Sequence, residues 1–563
     1  MPDQRRDDNS DVVPKREEFH PEVNYDVLLT AAGGFGKYQW YLFFISGPFY
    51  FFFAFVYFSQ IFITQVSTNH WCWIPELENL TVTERRNIAI PKDQSSSFGY
   101  SRCSSYVADW KDVLNTGQRP NETWSTQECQ YGWEFDKTEI PYQTISSELG
   151  WVCEKNSYQA IAQSIYFIGS VFGSLLFGWI SDRFGRLPAT TVSNMFGCVS
   201  GITSIFSTNI IDFSVSRFVM GMAYDRCMMM PYLLVLEFVG PKYRSVITNV
   251  PFAIFFMLGS VALPWIALAC HDWRVFSLAT SIPLVLTLLT PLFIPESPRW
   301  LLSMNRVDEA IDKVNNIAKI NGETIPENMI QLFKTNVGAG TKEDESSCLE
   351  IFKRPLMLKM FLSMCLLYSC NVIAYDVLLR NIESLGYDFF LSFTLISITE
   401  LPACILVGFV LDRLGRKFMM VVSLGICIIC CITIILLSGG LAAVAFAMIA
   451  RFTLNISYNI SMQWPNEIVP TCVRGSATSI IHICGVFAAV LSPYIAYSEN
   501  YVTGMPLILI AIISATGILC CFVIPETSGK DLPQTFSEAE ELVVNEKCLI
   551  VPISFPKFLL KWN

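Results

Sequence analysis

The sequence predicts an all-α polytopic membrane protein, with twelve membrane-crossing helices arranged as two six-helix halves in parallel orientation. Three observations carry that expectation: an apolar composition, twelve apolar runs of membrane length, and an internal repeat at one offset of 230 residues. Of the 563 residues, 52% are hydrophobic and 16% are charged, against roughly 25% charged in an ordinary soluble protein. So little charge cannot cover the surface of a soluble chain, and the mean hydropathy of +0.41 agrees. The composition excludes intrinsic disorder and a fibrous repeat. The formal net charge of −10 argues against nucleic acid as a partner, because that binding needs a basic footprint.

The runs come first. A hydrocarbon core about 30 Å thick takes about 20 apolar residues of helix. Runs of that length fall at 40–64, 159–180, 188–207, 213–236, 246–267, 274–294, 356–380, 388–411, 418–437, 440–463, 475–496 and 503–524. The runs 213–236 and 440–463 carry polar residues inside them. Residues 1–24 are polar and hold no apolar core before a small-residue cleavage site, so no signal peptide is expected.

Basic residues then orient the bundle. Arg183/Arg186, Lys242/Arg244, Arg413/Arg416/Lys417 and Arg474 fall in loops on one side. The short loops near 208–212, 438–440 and 497–502 on the other side carry no Lys or Arg. The positive-inside rule makes the basic side cytoplasmic. The expected organisation is a cytoplasmic segment 1–39, a half 40–294 with a large extracellular loop 65–158, a cytoplasmic linker 295–355, a second half 356–524, and a cytoplasmic tail 525–563. That describes a multi-pass plasma-membrane protein seated in the lipid bilayer, with both termini inside.

The loop 65–158 supports its own placement. It holds two glycosylation sequons, at Asn79 and Asn121, and four cysteines, Cys72, Cys103, Cys129 and Cys153. In an oxidising compartment these four are expected to form two disulfides, with three pairings open. The other fifteen cysteines lie mostly in apolar segments, where a thiol acts as a small hydrophobe. The four histidines, His20, His70, His271 and His482, are scattered without ligand spacing. No metal site, cofactor, nucleophile–base pair or phosphate-binding loop is expected, so neither an enzyme nor direct ATP drive is.

The repeat carries the most information. Gly178-x-x-x-Asp182-Arg183-x-Gly185-Arg186 recurs as Gly408-x-x-x-Asp412-Arg413-x-Gly415-Arg416. Glu237 and Arg244 recur as Glu467 and Arg474, and Pro295-Glu296-Ser297 recurs as Pro525-Glu526-Thr527, all offset by 230. Parallel six-helix repeats with a site between them are a transporter architecture. The motif reads as a gate. Gly178 and Gly408 would let helices approach closely. The Asp and Arg residues would pair with Glu237 and Glu467 at neighbouring helix ends, holding one face closed. Arg244, Arg299, Arg474, Glu296 and Glu526 join this set. A loop that only sets orientation would need the arginines but not the repeated Asp and Gly.

Further motifs narrow the reading. The 2–3 and 8–9 loop motifs resemble those of the major facilitator superfamily. Pro295-Glu296-Ser297-Pro298-Arg299-Trp300-Leu301 resembles the signature after helix 6 in sugar porters and in organic cation/anion/zwitterion transporters. The Cys-rich loop and Pro525-Glu526-Thr527-x-Gly529-x-x-Leu532-Pro533-x-Thr535 set the chain apart from most sugar porters. Asp26-x-Leu28-Leu29, Gly34-Phe35-Gly36-Lys37-Tyr38-Gln39, Gly132-Trp133-Glu134-Phe135-Asp136, Thr144-Ile145-x-Ser147-Glu148 and Val152-Cys153 resemble the organic ion group, an organic cation transporter-like member of it. The resemblance implies the twelve-helix major facilitator fold and transport of a small organic ion by alternating access. Leu187 departs from the pattern, standing where a second basic residue usually follows. Val486 departs too, being neutral where family members often carry Arg for anions or Asp for cations.

Charges inside the runs are functional candidates, since one at the bilayer centre costs roughly 2.5–3.5 kcal/mol on insertion scales. Asp225 falls at the middle of 213–236. Its neighbour Arg226 projects about 100° away, so the two are not expected to face one cavity. Arg217-Phe218 with Tyr224-Asp225 resembles Arg451-Phe452 with Tyr458-Asn459, at a local offset of 234. The expected substrate site is therefore Asp225 and Asn459, Arg217 and Arg451, Tyr224 and Tyr368, with Gln463 and Trp464. The carboxylate would pair with an ammonium group, aromatic faces would add cation–π attraction, and an Arg would hold a substrate carboxylate. The alternative is a buried ion pair of Asp225 with Arg226, Arg217 or Arg451. Asp376 reads as a gate residue, Glu400 as a proton acceptor or a structural partner, and His482 as the maker of an interhelical hydrogen bond.

The expected function is transport of small organic cations or zwitterionic amines, with H+ or Na+ as candidate coupling ion. The rivals are an organic anion transporter, favoured by Arg217, Arg226 and Arg451, and a non-transporting sensor on the same scaffold. Within 303–355, Val307, Ala310, Ile311, Val314 and Ile317 at helical spacing predict an amphipathic helix.

Overall fold

The structure is a computed structural model. It describes residues 24–93, 98–117, 121, 123–338, 349–437, 439–530 and 532–544. The polar segment 1–23, Glu122 of the second sequon, part of the linker and the apolar stretch 549–560 lie outside the described residues.

Helix covers all twelve predicted runs, numbered here as spans 1 to 12. They are Lys37–Ile63, Tyr158–Phe184, Arg186–Ser204, Ile210–Tyr224 continued by Arg226–Leu236, Arg244–Cys270, and Trp273–Ser281 continued to Phe293. The second half has Pro355–Arg380, Phe389–Ile398 continued by Glu400–Leu414, Arg416–Leu436, Leu441–Ile468, Arg474–Ala489 continued by Ser492–Tyr497, and Met505–Cys521. Among the described residues, nine of these helices are long and apolar enough to cross a membrane by length and composition. The run 440–463 is among them despite its polar residues. Spans 3, 4 and 12 are not: span 12 has 17 helical residues, span 4 is interrupted at Asp225, and span 3 is rich in hydroxyls. Several of those hydroxyls are satisfied locally, Thr190 Oγ1 donating to the Arg186 carbonyl at 2.8 Å and Ser204 Oγ to the Gly201 carbonyl at 2.7 Å, while Ser200 Oγ donates to the Ser216 carbonyl of span 4.

Three spans start on side-chain caps. Asn209 accepts from the Asp212 amide, Asp272 from the Arg274 amide and Asp388 from the Leu391 amide. Each marks a turn at the end of the bundle opposite the basic loops.

Span 1 packs along span 5 and span 2 along span 4. Span 7 packs against spans 11 and 12, and span 8 against span 10. At the end bearing the cysteine-rich domain, hereafter the domain end, aromatic rings join the halves. Phe62 meets Phe389 at 5.5 Å and Phe393 at 4.9 Å, and Phe58 meets Phe393 at 5.6 Å. Edge-to-face pairs of this kind contribute about 0.5–1.5 kcal/mol each.

The domain between spans 1 and 2 holds two short antiparallel pairs, His70–Cys72 with Trp133–Phe135 and Ser104–Tyr106 with Thr126–Glu128. Its own core includes Trp71, Leu77, Ile90 and Trp110. Of the three pairings open to its cysteines, the structure has Cys72 bonded to Cys129 and Cys103 to Cys153. Asn79 and Asn121 are exposed.

In the linker, Val307–Asn321 is a helix that buries Ala310, Ile311, Val314 and Ile317, the face its spacing predicts. Its last residue ties it to the first half. Asn321 Nδ2 donates to the carbonyls of Ala32 and Gly33, both at 3.0 Å, and Oδ1 accepts from the Tyr38 amide at 3.0 Å.

Candidate substrate site between the halves

Glycines set the depth at which span 4 crosses span 2. A Cβ at Gly169 would sit 2.1 Å from the Phe218 carbonyl oxygen, one at Gly173 would sit 2.0 Å from that of Met222, and one at Gly221 would sit 1.8 Å from that of Tyr166. Only bare backbone fits on both helices. This crossing carries Asp225 against span 2, where Ser174 Oγ reaches Asp225 Oδ2 at 3.5 Å.

Asp225 lies where the helix is interrupted, with Pro231 in the next turns unable to donate back along the chain. Its Oδ1 lies 2.8 Å from Nε2 of His482 in span 11, in the other half. His482 Nδ1 lies 2.9 Å from the Tyr368 hydroxyl of span 7, which lies 3.4 Å from the Tyr458 hydroxyl of span 10. Tyr224 adds an aromatic wall beside Tyr57, at 4.9 Å, and Tyr166, at 5.4 Å.

Several expectations are corrected here. Arg226 was expected to face away from the cavity that Asp225 faces, yet its Nε lies 3.4 Å from Asp225 Oδ2, the ion pair of the alternative reading. The long side chain folds back across the 100° between their Cβ directions. Arg451 is not free for substrate. It lies over the Tyr375 ring, donates to the Tyr375 carbonyl at 2.5 Å, and pairs with Glu400 at 2.9 Å. Glu400 also accepts from the Tyr375 hydroxyl at 2.6 Å, so it is a structural partner. Arg217 is 1% exposed and sits over the Phe213 ring at 4.9 Å, and among the described residues none accepts a hydrogen bond from its guanidinium. Trp464 is buried, and its ring N–H donates to the Pro525 carbonyl. Asn459 donates to Asn455 of its own helix, and Gln463 is exposed. Of the expected substrate residues, the structure brings together Asp225, Tyr224 and Tyr368. It adds His482, Tyr458, Ser174 and Arg226.

The gate motif makes the pairs expected with Glu237 and Glu467, but within each half. Arg186 pairs with Glu237 at 3.4 Å and Asp182 at 3.1 Å, and Arg416 pairs with Glu467 at 2.9 Å and Asp412 at 2.6 Å. Glu296 accepts from the amides of Arg186 and Leu187, and Glu526 accepts from those of Arg416 and Lys417. These contacts repeat across the 230-residue offset, and both partners of each belong to one half. They brace each half internally and do not bolt the halves together. Leu187 keeps the backbone part of this pattern. A Cβ at Gly185 would come 2.3 Å from Glu296 Oε2, and one at Gly415 would come 2.8 Å from Glu526 Oε2, so these two glycines are the close approaches. Gly178 and Gly408 are not: a Cβ at either meets nothing within 4 Å. Arg183 and Arg413 are exposed, Arg244 and Arg299 both reach Asp26, and Arg474 Nε donates to the Val469 carbonyl.

Among the described residues, the hydrogen bonds between halves lie at mid-depth or toward the domain end. Besides Asp225–His482 they are Tyr57 to Asp376 at 3.1 Å, Ser164 to the Val490 carbonyl at 2.9 Å, and Arg380 to Gln163. Asp376 also pairs with Arg380 at 2.5 Å. The conformation is closed at the domain end.

The sequence profile of the Major Facilitator Superfamily matches residues 140–493. This chain belongs to the Major Facilitator Superfamily. It is 27% identical to the carcinine transporter of Drosophila melanogaster over 549 residues, 94% of this chain and 81% of that one. It is 27% identical to the beta-alanine transporter of Drosophila melanogaster, covering 95% of this chain and 90% of that one. It is 26% identical to solute carrier family 22 member 3 of Mus musculus, covering 92% and 96%. Among solved structures, the partially occluded inward-open xylose transporter XylE from E. coli matches with a TM-score of 0.56 and 15% identity, covering 88% of this chain and 100% of that chain. That likeness shows the fold. The chain is a membrane transporter and not an enzyme.

His482, expected to make an interhelical hydrogen bond, makes contacts of that kind with Asp225 of span 4 and Tyr368 of span 7. It lies four residues before Val486, hence on the same face of span 11 and one turn away. The neutral residue at 486 invites a search of that face for another titratable group.

Proposed function

We propose that this major facilitator carries small organic cations or zwitterionic amines by alternating access, with Asp225 as the carboxylate that meets the substrate's ammonium group. The observation that carries this reading is the Asp225–His482 contact. A buried carboxylate at mid-depth in one half is held at 2.8 Å by a nitrogen donor of the other half. A protonated amine is a donor of the same kind, and the tyrosine rings beside it suit a cation.

The transporters named for carcinine and β-alanine support the same class, since both compounds carry a primary ammonium group. Two supports of the anion reading are engaged elsewhere: Arg451 by Glu400 and Arg226 by Asp225. We place the transporter in the plasma membrane with both termini cytoplasmic, on the basic-loop asymmetry. The domain is then extracellular, which suits its two disulfides and the exposure of Asn79 and Asn121. The alternating gates would be the aromatic and Asp376–Arg380 contacts outside, and the inner helix ends braced by Asp182/Arg186/Glu237 and Asp412/Arg416/Glu467.

The test is uptake into cells of labelled carcinine, β-alanine and succinate, by wild type and Asp225→Asn. Uptake of the amine or zwitterion, abolished by the substitution at unchanged surface expression, is the expected result. Uptake of succinate instead, indifferent to the substitution, overturns the reading. A chain that moves none of the three at normal surface expression supports the sensor alternative.

A further inference from the structure

The contact between Asp225 and His482 has a chemical consequence for coupling. The carboxylate can only accept, so Nε2 of His482 carries the proton between them. The other ring nitrogen, Nδ1, faces the Tyr368 hydroxyl at 2.9 Å, and a hydroxyl can donate or accept. In the neutral ring, Tyr458 donates to Tyr368 and Tyr368 donates to Nδ1. In the imidazolium, Nδ1 donates to Tyr368, whose own hydrogen turns to Tyr458. The two tyrosines therefore satisfy His482 in either protonation state by reversing one chain of hydrogen bonds. A histidine needed only as a fixed donor to Asp225 would be served by a backbone N–H behind it, which holds Nδ1 as an acceptor and fixes the Nε2–H tautomer.

The groups facing His482 are few. Span 4 presents Asp225 and Arg226, span 7 Tyr368 and span 10 Tyr458, while span 2 contributes the neutral Ser174. On its own helix the nearest titratable side chain is Cys484, which contacts Cys365 of span 7. The His482 side chain is 15% exposed and that of Arg226 is 16% exposed. The described hydrogen bonds between the halves lie at this level or nearer the domain end.

Resting on the reading of Asp225 as the substrate's counter-ion, we infer that His482 is a resident competitor for that carboxylate, so that imidazolium and substrate ammonium alternate on Asp225 and the carrier exchanges one proton for one organic cation. The balance is simple. A site holding His482 as imidazolium and Asp225 as carboxylate takes up one cation; the imidazolium gives its Nδ1 proton to water and turns neutral. One positive charge replaces another on Asp225, and one proton leaves. No covalent bond other than N–H changes, and the site's net charge is the same before and after. Release of the cation lets the ring reprotonate from the same side.

The test uses the full-length chain in sealed liposomes with a pH-sensitive dye in the lumen. The probes are tetraethylammonium, a permanent cation, and β-alanine, whose net charge is constant between about pH 5.5 and 7.5. With wild type, probe uptake should alkalinise the lumen one proton per probe. The half-saturating probe concentration should rise on acidification, toward about tenfold per pH unit, the limit for one competing proton. Clamping the membrane potential should not change the rate of tetraethylammonium uptake. His482→Gln keeps a neutral donor toward Asp225 and should show a flat pH profile with no proton movement. Probe uptake by wild type with no luminal pH change overturns the inference and leaves the cation reading standing. Movement of neither probe by wild type overturns both. The dye measurement needs no variant, so a poorly folded His482→Gln does not blunt the result.

Discussion

Gly221 of span 4 lies against the Tyr166 carbonyl of span 2 so closely that a Cβ at Gly221 would come within 1.8 Å of the oxygen. The clash is with backbone, which cannot swing aside as a side chain would. Gly221→Ala is therefore expected to destabilise by about 1–3 kcal/mol, in the range of overpacked cores, and to push Asp225 away from Ser174. Gly178→Ala meets nothing within 4 Å and is the control. Thermal unfolding of the detergent-purified proteins decides. Equal melting temperatures for the two variants would count against this crossing.

Glu296 acts as a remote cap for span 3, accepting from the amides of Arg186 at 2.9 Å and Leu187 at 3.1 Å. Removing a cap acceptor costs about 0.5–2 kcal/mol. Burial pushes the Glu296 carboxyl up, against the three amides that hold it down. Glu296→Ala should lose stability on that scale, while Glu296→Gln keeps one acceptor oxygen and loses less. Glu526→Ala should behave alike through Arg416 and Lys417. A null effect of both alanines in a melting assay would show that the repeated acid is not a cap.

Arg451 and Glu400 form a buried pair inside the second half, at 2.9 Å. Removing one member strands the other charge in a dry site, at about 3–5 kcal/mol. Glu400→Leu should therefore be poorly expressed, and Arg451→Met in the same chain should recover much of the loss. Surface expression of the two single variants and the double variant completes the cycle. Additive losses would mean the two residues do not act as a pair.

Glu148, outside the spans, is bonded to the Arg274 guanidinium and to the Trp273 ring N–H. The hydrogen bonds from Arg274 hold its carboxyl below the ordinary 4.5. A depressed folded value contributes stability above the unfolded value, and that contribution is lost as pH falls through the folded one. Wild type should lose melting temperature more steeply than Glu148→Gln as pH drops below about 4.5. At neutral pH the variant should be less stable by about 1–2 kcal/mol, the scale of a charge-assisted bond. Parallel acid profiles would remove Glu148 from the account.

The legible parts of the site were those with a repeat behind them. The Arg186/Glu237 and Arg416/Glu467 pairs, the Glu296 and Glu526 landmarks and the central depth of Asp225 all follow from spacing. What spacing misjudged was reach and rotation. Arg226 folds back onto Asp225, Gly178 and Gly408 face open space, and Arg451 turns to Glu400 instead of the substrate site. His482 was legible as the maker of an interhelical hydrogen bond, but its partner was not, because Asp225 lies 257 residues away.

By itself the sequence determined the fold class, the twelve helical runs, the two-half repeat and the amphipathic linker helix. Length, polarity and 3.6-residue spacing are local properties, and a bilayer enforces them strictly. Only the tertiary structure decided which charges meet, which cysteines bond and which glycines sit at crossings. A span that is apolar on every side carries no periodic signal for its rotation about its own axis, since lipid and protein interior are equally apolar. That rotation is set by backbone contact, as where Gly169, Gly173 and Gly221 bring spans 2 and 4 together and aim Asp225 at His482.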